Sequence, residues 1–476
     1  MLTLADALEA LTNFRPLATT VITEAVVDSR QVIPGSLFVA VPGEKVDGHD
    51  FIEEAFRRGA SFALIQRDVV AAGSFQTLDL RAVQSIDSFP RQDLVPPLCL
   101  RVENTVTALQ QIARYWRRKL DLRVVGITGS VGKSTTKEMV AEVLSTRYRT
   151  LKSPGNLNNE IGLPLTILRL SSGHQRAVLE MGFYVPGEIA FLCDIALPQI
   201  GVVTNIGTVH AERAGSQEAI ARGKSELVQA LPPAPEGVAI LNFDDPWVRK
   251  MEEKTKARVF FYGLSREANL WADNVVGLGL EGIRFRLHYQ GETLHVRIPL
   301  IGRHSVHTAL RAAAVGLVEG MNWQEILEGL HQGHTQLRLA AVRSATGALL
   351  LDDTYNASPE SMLAALTLLD ELEGRKVAVL GDMLELGPYE RGGHEMVGLR
   401  AAQVANILLT LGERAHMIAE AARRAGMKKT AIFEFDEFEP LMEWLRVNLT
   451  KEDTVLIKGS HGLRMDRITS LLEARS

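Results

Sequence analysis

The feature that most constrains this chain is a glycine-rich segment, GITGSVGKSTT, at residues 126–136. It follows the apolar run 122–128 and opens a segment with helical spacing, which is the context that a phosphate-binding loop requires. Glycines let backbone N–H groups approach phosphate oxygens, and the start of a helix favours negative charge. Lys133 adds a mobile cation, and Ser134 offers an oxygen to Mg²⁺. The segment therefore predicts nucleotide binding, although it does not indicate which reaction follows.

The loop departs from the strict phosphate-loop spacing at one position, because Ile127 stands where that pattern has glycine. A glycine-rich turn without function is the alternative interpretation, and the strand–loop–helix context argues against it. The residues that we predict to bind the nucleotide here form one run: Thr128, Gly129, Ser130, Val131, Gly132, Lys133, Ser134 and Thr135.

Length and composition exclude several classes of protein. A chain of 476 residues suggests two to four domains at roughly 100–200 residues each. A net charge of −5 gives no reason to expect a nucleic-acid partner, and two cysteines make no disulfide framework. The first residues lack the pattern of a signal peptide, and no apolar run approaches the roughly 18 residues of a membrane span. We therefore expect a cytoplasmic enzyme without a membrane span.

The pattern of apolar runs predicts an α/β fold in three domains, at 1–100, 101–332 and 333–476. Short apolar runs of the central region suit a parallel sheet covered on both faces. Residues 283–298 alternate apolar and polar side chains around a Gln-Gly turn, which predicts an antiparallel hairpin appended to that sheet. In the last region, helical stretches separate four apolar runs, a pattern typical of a doubly wound sheet.

Three polar residues of the central region are candidates for metal binding and transfer: Glu180, His210 and Lys224. Singly, each has an ordinary interpretation, as a solvated strand end, a structural histidine and an exposed helical lysine. Together with ATP and a carboxylate substrate they fit two Mg²⁺ ions, which would reduce the repulsion between anions. Glu180 and Ser134 are hard oxygen ligands for one ion, and His210 could hold a second. A cationic Lys224 beside Mg²⁺ would be repelled, so it fits only if neutral or modified.

Five motifs occur here in the order seen in one family: LRVVGITGSVGKSTTKEM, TNIGTVHAE, LNFDDP, IGRHSVHTAL and LLLDDTYNASPESMLAAL. By these motifs the chain resembles the Mur ligases over nearly its whole length. The resemblance implies an N-terminal UDP-binding domain, a central ATPase domain and a C-terminal Rossmann-like domain. It also implies that a carboxylate is activated as an acyl phosphate, which an amine then attacks.

Further motifs, SPGNLNNEIGLP, VLGDMLELG and KGSHGLRMD, resemble those of the members that add D-alanyl-D-alanine to UDP-N-acetylmuramoyl-tripeptide. A member that adds a diamino acid is one alternative, but its usual DNPR-type motif is absent from the sequence. Folylpolyglutamate and cyanophycin types are others, and the UDP-type segment DSRQVIPGSLFVAVPGEKVDGHDF argues against them. A nucleotide switch that forms no bond is the alternative of a different class.

The resemblance also implies roles for single residues. Ser29 and Arg30 would contact the uridine end of the substrate, Arg338 the γ-phosphate and Asp353 the ribose. Lys224 matches a lysine that is carbamylated in the family, which turns a cation into an anionic oxygen ligand. The residues expected around the reacting groups are Asn156, Asn158 and Asn159, and those expected to position D-alanyl-D-alanine are Tyr355, Asn356 and Ser358.

One family motif differs in this chain. The pattern GxHNxxN reads GRHSVHT at residues 302–308, with Ser305 at the position of the usual asparagine. Asparagine can donate to and accept from an adenine edge, whereas serine has one oxygen. The effect of Ser305 and His307 on selection of the base stays open at this point. We expect a monomer, and the third residue of the peptide, diaminopimelate or lysine, is also open.

Overall fold

The computed structural model describes residues 1–43, 46–69, 75–89, 94–208, 211–332 and 340–473. Within these ranges the chain builds three β-sheets, each covered by helices, in the order N-terminal, central and C-terminal. In the described part of the chain, no helix combines the length and the apolar character needed to cross a bilayer.

The N-terminal unit is built on a five-stranded parallel sheet. Its elements are α1 Leu4–Thr12, β1 Ala25–Val26, β2 Leu37–Val39, α2 Ile52–Arg57, β3 Phe62–Ile65, β4 Gln76–Asp79 and β5 Leu98–Arg101. The strand order is β1-β2-β3-β5-β4, and every pairing is parallel. All four residues of β3 are buried, as a strand covered on both faces requires. α1 begins at a capping box between Thr3 and Asp6.

The central unit carries a nine-stranded sheet and most of the helices. In chain order its elements are α3 Thr105–Lys119, β6 Arg123–Thr128, α4 Lys133–Ser145, β7 Thr150–Lys152, α5 Gly162–Leu168, β8 Arg176–Glu180, α6 Glu188–Ala196, β9 Ile200–Val203, α7 Ala211–Ala214, α8 Gln217–Gln229, β10 Val238–Asn242, α9 Pro246–Arg249, β11 Arg258–Gly263, β12 Leu270–Gly277, β13 Ile283–Tyr289, β14 Glu292–Ile298, α10 Val306–Val318 and α11 Trp323–Gln332.

The central strand order is β14-β13-β12-β11-β10-β9-β6-β8-β7. Strands β6 to β12 are paired in parallel, and the β12–β13 and β13–β14 pairs are antiparallel. The predicted parallel sheet with an appended hairpin is therefore confirmed. β6 lies between β8 and β9, so the carboxyl ends of these three strands share one edge, where ligands of open α/β sheets bind.

The C-terminal unit has a six-stranded sheet. Its elements are β15 Ala340–Arg343, β16 Leu349–Asp352, α12 Pro359–Glu371, β17 Arg375–Gly381, α13 Glu390–Val404, β18 Ile407–Leu411, α14 His416–Arg424, β19 Ile432–Phe435, α15 Phe438–Asn448, β20 Asp453–Lys458 and α16 Asp466–Leu472. The strand order is β15-β16-β20-β17-β18-β19. Among the described strands of this sheet, the β15–β16 pair is antiparallel and the other pairs are parallel.

The four apolar runs predicted as strands in the last region correspond to β16, β17, β18 and β20. β15 and β19 were not predicted, because each lies at an edge of the sheet and carries exposed or polar positions. The three-domain α/β fold is confirmed. The domain bounds themselves stay a prediction: β5 extends one residue past the first bound, and the second falls at residues 332–333, where a described range ends.

Candidate functional site

The phosphate loop connects β6 to α4 through two glycines with positive φ. Gly129 has a φ of 145°, and a Cβ there would lie 1.8 Å from Thr204 Oγ1, so any other side chain would clash. Gly132 has a φ of 82° and forms the N-cap of α4. The first turn of α4, which contains Lys133 and Ser134, therefore directs its backbone N–H groups into the site, where an anion would be stabilised.

The segment after β9 holds this loop in shape. Asn205 accepts two hydrogen bonds from it, with its backbone oxygen from Ser130 N at 3.0 Å and with Oδ1 from Val131 N at 2.9 Å. Thr204 Oγ1 donates to Val131 O at 2.7 Å, and Gly207 N donates to Ser130 Oγ at 2.8 Å. The loop conformation is thus fixed before any nucleotide binds, which reduces the entropic cost of binding.

Oxygen atoms suited to Mg²⁺ converge beside the loop. Ser134 Oγ donates to Glu180 Oε2 at 2.6 Å, and Asn158 Nδ2 donates to Glu180 Oε1 at 2.9 Å. Glu180 is 1% exposed, so its carboxylate is desolvated and held in place by these two side chains. Among the described residues no cluster of three histidine, cysteine or acidic side chains could hold a metal. Ser134 and Glu180 fit Mg²⁺, because that ion commonly binds one or two protein oxygens together with phosphate and water.

Lys224 lies on α8, behind the phosphate loop, and is 1% exposed. Its Nζ donates to Gly129 O at 3.1 Å and lies 4.6 Å from the centre of the Phe183 ring. Burial, and then the nearby positive charge of Lys133, hold the pKa of the Lys224 amine well below its usual 10.5. The ordinary interpretation of Lys224 as an exposed helical lysine is therefore wrong, and the neutral form of the amine is favoured.

A cavity of about 540 Å³ lies between the central and C-terminal units. One wall is the phosphate loop with Asn156, Asn158 and Glu180. The opposite wall comes from the C-terminal unit and contains the predicted residues Asp353, Tyr355, Asn356 and Ser358. The structure thus brings together side chains more than 170 positions apart in the sequence.

The C-terminal wall depends on Lys458, which ends β20 and is 2% exposed. Its Nζ pairs with Asp353 Oδ2 at 2.7 Å and donates to Asn356 O at 2.9 Å. Ser358 is the N-cap of α12 and accepts from Ser361 N, so its hydroxyl already has a structural partner. Lys458 was not predicted as a site residue, although its position at a strand end of the KGSHGLRMD motif could have indicated it.

The far end of the cavity is lined by Asn242, Ser305, His307 and Thr308. Ser305 Oγ donates to Ile301 O at 2.8 Å, so its one proton already has a backbone partner. His307 Nε2 is 2.9 Å from Asp244 Oδ2. Burial raises the pKa of Asp244, but the bonds from His307 and from the backbone outweigh it, so the net shift is downward.

Several predicted residues do not line the cavity. Thr128 is fully buried and donates to Met181 O at 3.1 Å. Asn159 Oδ1 accepts from the backbone N of Gly162, the first residue of α5, at 2.8 Å. Ser29 and Arg30 lie in the N-terminal unit, where Ser29 Oγ donates to Glu54 Oε2 at 3.2 Å and Arg30 pairs with Asp28 at 2.7 Å. His210 and Arg338 lie outside the described residues.

Three family models match this chain in order. They are the Mur ligase family catalytic domain at residues 21–117, the Mur ligase middle domain at 127–316 and the Mur ligase glutamate ligase domain at 337–461. The chain belongs to the Mur ligase family. The phosphate loop and Glu180 fall in the middle domain, and the wall that carries Asp353 falls in the glutamate ligase domain.

Individual Mur ligases resemble the chain over almost its full length. The UDP-N-acetylmuramoyl-tripeptide–D-alanyl-D-alanine ligase of Bacillus subtilis is 35% identical, and the match covers 94% of this chain and 93% of that protein. MurF from Acinetobacter baumannii superimposes with a TM-score of 0.82 at 29% identity, covering 98% of each chain. MurF ligase from Thermotoga maritima in complex with ADP gives a TM-score of 0.77 at 29% identity, covering 97% of each.

Proposed function

We propose that this protein is an ATP-dependent ligase that joins D-alanyl-D-alanine to UDP-N-acetylmuramoyl-tripeptide and forms the pentapeptide. The observation that carries the proposal is the shared cavity, in which a phosphate loop faces a C-terminal wall built around Asp353 and Tyr355. The similarity to ligases of that name over more than nine-tenths of the chain supports the choice of substrates.

The reaction needs two bond exchanges. A carboxylate oxygen of the tripeptide attacks the γ-phosphorus of ATP, and ADP leaves with the electron pair of the broken P–O bond. The amine of D-alanyl-D-alanine then attacks the acyl carbon, phosphate leaves, and the amine loses one proton. Lys133 and the first turn of α4 stabilise negative charge on the phosphates, as in other phosphoryl transfers.

Ser134 and Glu180 would hold one Mg²⁺, with phosphate and water oxygens completing its coordination. When bound, the metal neutralises charge on the phosphates. Asn158 keeps the Glu180 carboxylate oriented by its bond to Oε1. A second Mg²⁺ would use His210, together with a carbamate on Lys224. Arg338 would contact the γ-phosphate and Asp353 the ribose.

Carbamylation of Lys224 joins the neutral amine to CO₂ and releases one proton. The buried amine, with a lowered pKa, is suited to this addition because only the neutral form has a lone pair to attack carbon. Enriching the protein with ¹³C-labelled CO₂ should give a carbamate carbon resonance in the wild type that is absent from Lys224→Ala. Acetate should partly restore activity to that variant. A Lys224→Ala variant with full activity, or no labelled carbamate in the wild type, would reject the modification.

The remaining substrate contacts follow from the position of each unit. Ser29 and Arg30 would bind the uridine end at the N-terminal unit. Asn156, Asn158 and Asn159 would surround the reacting groups, and Tyr355, Asn356 and Ser358 would position the dipeptide.

Because the cavity has walls from two units, we propose that binding of nucleotide and substrate brings the two units together and excludes water from the acyl phosphate. Small-angle scattering should show compaction with both ligands, and an unchanged radius of gyration would reject closure.

The decisive experiment measures phosphate release from ATP and Mg²⁺, with UDP-N-acetylmuramoyl-tripeptide and D-alanyl-D-alanine added singly and together. Release only with both, and a product heavier by one dipeptide, is the expected result. Release with ATP alone would indicate a nucleotide switch, and dependence on another amino acid would indicate a sister ligase. Tripeptides ending in diaminopimelate and in lysine should be compared.

We further propose that the enzyme acts as a cytoplasmic monomer. Light scattering of the purified protein tests its oligomeric state.

A further inference from the structure

A buried arginine lies beside the phosphate loop, in a helix whose other residues are mostly apolar. Arg311 belongs to α10, whose sequence VHTALRAAAVGLV has ten buried residues, and Arg311 itself is 5% exposed. A buried cation is costly unless a counter-charge or a set of hydrogen bonds compensates it. Within the described ranges, no carboxylate lies within ion-pair distance of the Arg311 guanidinium.

The protein partners of this guanidinium are all uncharged. Nε donates to His307 O at 3.0 Å, Nη2 donates to Thr308 Oγ1 at 3.1 Å, and the group lies over the Tyr262 ring at 5.8 Å from its centre. These bonds come from one side and fix the planar group in a single orientation. Arg311 also lines the cavity, so part of the guanidinium faces the space that a ligand would occupy.

The guanidinium reaches the N-cap residue of α4, the helix that follows the phosphate loop. A Cβ placed on Gly132 would be 3.6 Å from both Nη1 and Nη2, so the cation lies against the N-cap of α4. This is where the helix start and the backbone N–H groups favour a phosphate. Ser305, by contrast, donates its one proton to Ile301 O at 2.8 Å.

We propose that Arg311 is a nucleotide-binding residue that contacts the diphosphate part of ATP and ADP. This rests on the proposed use of ATP, and it adds a contact made by an arginine in α10. An arginine held rigidly by two bonds can donate two parallel hydrogen bonds to phosphate oxygens, and such charge-assisted bonds are stronger than neutral ones. In this chain, affinity for the nucleotide would therefore depend on its phosphates more than on its base.

The test compares ADP with adenosine on the full-length protein, by competition against a fluorescent ADP analogue. Arg311→Gln should weaken ADP binding by about 10- to 100-fold, the range for losing a hydrogen bond to a charged group. Adenosine binding should change by less than about threefold, because the base contacts remain. An equal loss for both ligands, or no loss for ADP, would overturn the proposal.

Two further variants separate ligand binding from folding. Arg311→Met fills the same buried volume without polar atoms, so it replaces Arg311→Gln if that variant does not fold, with the same expected loss for ADP. Arg117→Gln is the matched control, because Arg117 is also buried and donates to Ala196 O, Leu120 O and Leu122 O, away from the cavity. It should lower the melting temperature and leave ADP affinity unchanged. A wild type that binds no ADP would instead contradict the proposed function.

Discussion

Lys133 and Lys224 donate hydrogen bonds to the same backbone oxygen, Gly129 O, at 2.9 and 3.1 Å. Two ammonium groups so close together repel each other, and only Lys224 is fully buried. Burial and the charge of Lys133, at the start of α4, therefore lower the pKa of the Lys224 amine and favour its neutral form. The Gly129 carbonyl oxygen thus contacts both Lys133, the cation that would bind phosphates, and Lys224, the amine that would be carbamylated.

Replacing Lys224 by methionine should change stability in a pH-dependent way. In buffer free of CO₂, the pKa of Lys224 is lower in the folded protein than the 10.5 of an exposed lysine, so burying this lysine lowers stability below pH 10.5. Because that penalty falls as the pH rises towards 10.5, Lys224→Met should melt above the wild type at pH 7, and the difference should shrink at pH 9.5. Calorimetric scans at both pH values measure this, and a constant difference would contradict it.

Lys224→Arg complements that variant. Arginine stays charged when buried, so it can neither lose its proton nor accept CO₂. We expect it to melt below the wild type and to lose activity at least about 100-fold, as expected when a group that acts on the transition state is removed. An arginine variant with near-normal turnover would show that a cation suffices at this position.

Glu180→Gln should weaken metal dependence without unfolding the protein. The amide keeps an oxygen for Ser134 Oγ but loses the negative charge, so turnover should fall about 100-fold or more and the Mg²⁺ concentration for half-maximal rate should rise. Magnesium titrations of the steady-state rate measure both effects. Glu160→Gln, an exposed change in the neighbouring loop, is the control and should behave as the wild type.

Replacing Asn158 should affect mainly the rate, whereas replacing Asn159 should affect mainly stability. Asn158→Ala removes the bond to Glu180 Oε1, so kcat should fall about tenfold while the melting temperature changes little. Asn159→Ala removes the hydrogen bond to Gly162 N at the start of α5, so stability should fall by about 1 kcal/mol with kcat nearly unchanged. Paired kinetics and thermal melts test this, and a reversed pattern would assign the reacting centre to Asn159.

Lys458→Met should disrupt the C-terminal wall. It leaves the Asp353 carboxylate without its buried partner and releases Asn356 O, so we expect a loss of roughly 3–5 kcal/mol in stability and weaker ATP binding. Denaturant unfolding and ADP titration measure the two effects. The double variant Lys458→Met, Asp353→Asn should recover part of the stability, because no unpaired charge remains, and failure to recover any would argue against the pairing.

Local patterns in the sequence were sufficient for much of this fold. The apolar run before residue 128, the glycines at 129 and 132, and the alternation at 283–298 each predicted an element that the structure contains, because strand period, positive φ and hairpin register depend on near neighbours. The edge strands β15 and β19 were not predicted, since an edge strand needs no continuous apolar run.

The sequence by itself determined that the chain has a phosphate loop and three α/β units, and it indicated Glu180 and Lys224 as candidates. Only the tertiary structure decided that Lys224 is buried against Gly129 O, that Asn159 bonds to the start of α5, and that Lys458 and Arg311 belong to the cavity. The physical reason is that desolvation and electrostatic pairing depend on which side chains meet in space. Lys224 meets the loop across 95 positions, and Lys458 meets Asn356 across 102, separations over which no local pattern acts.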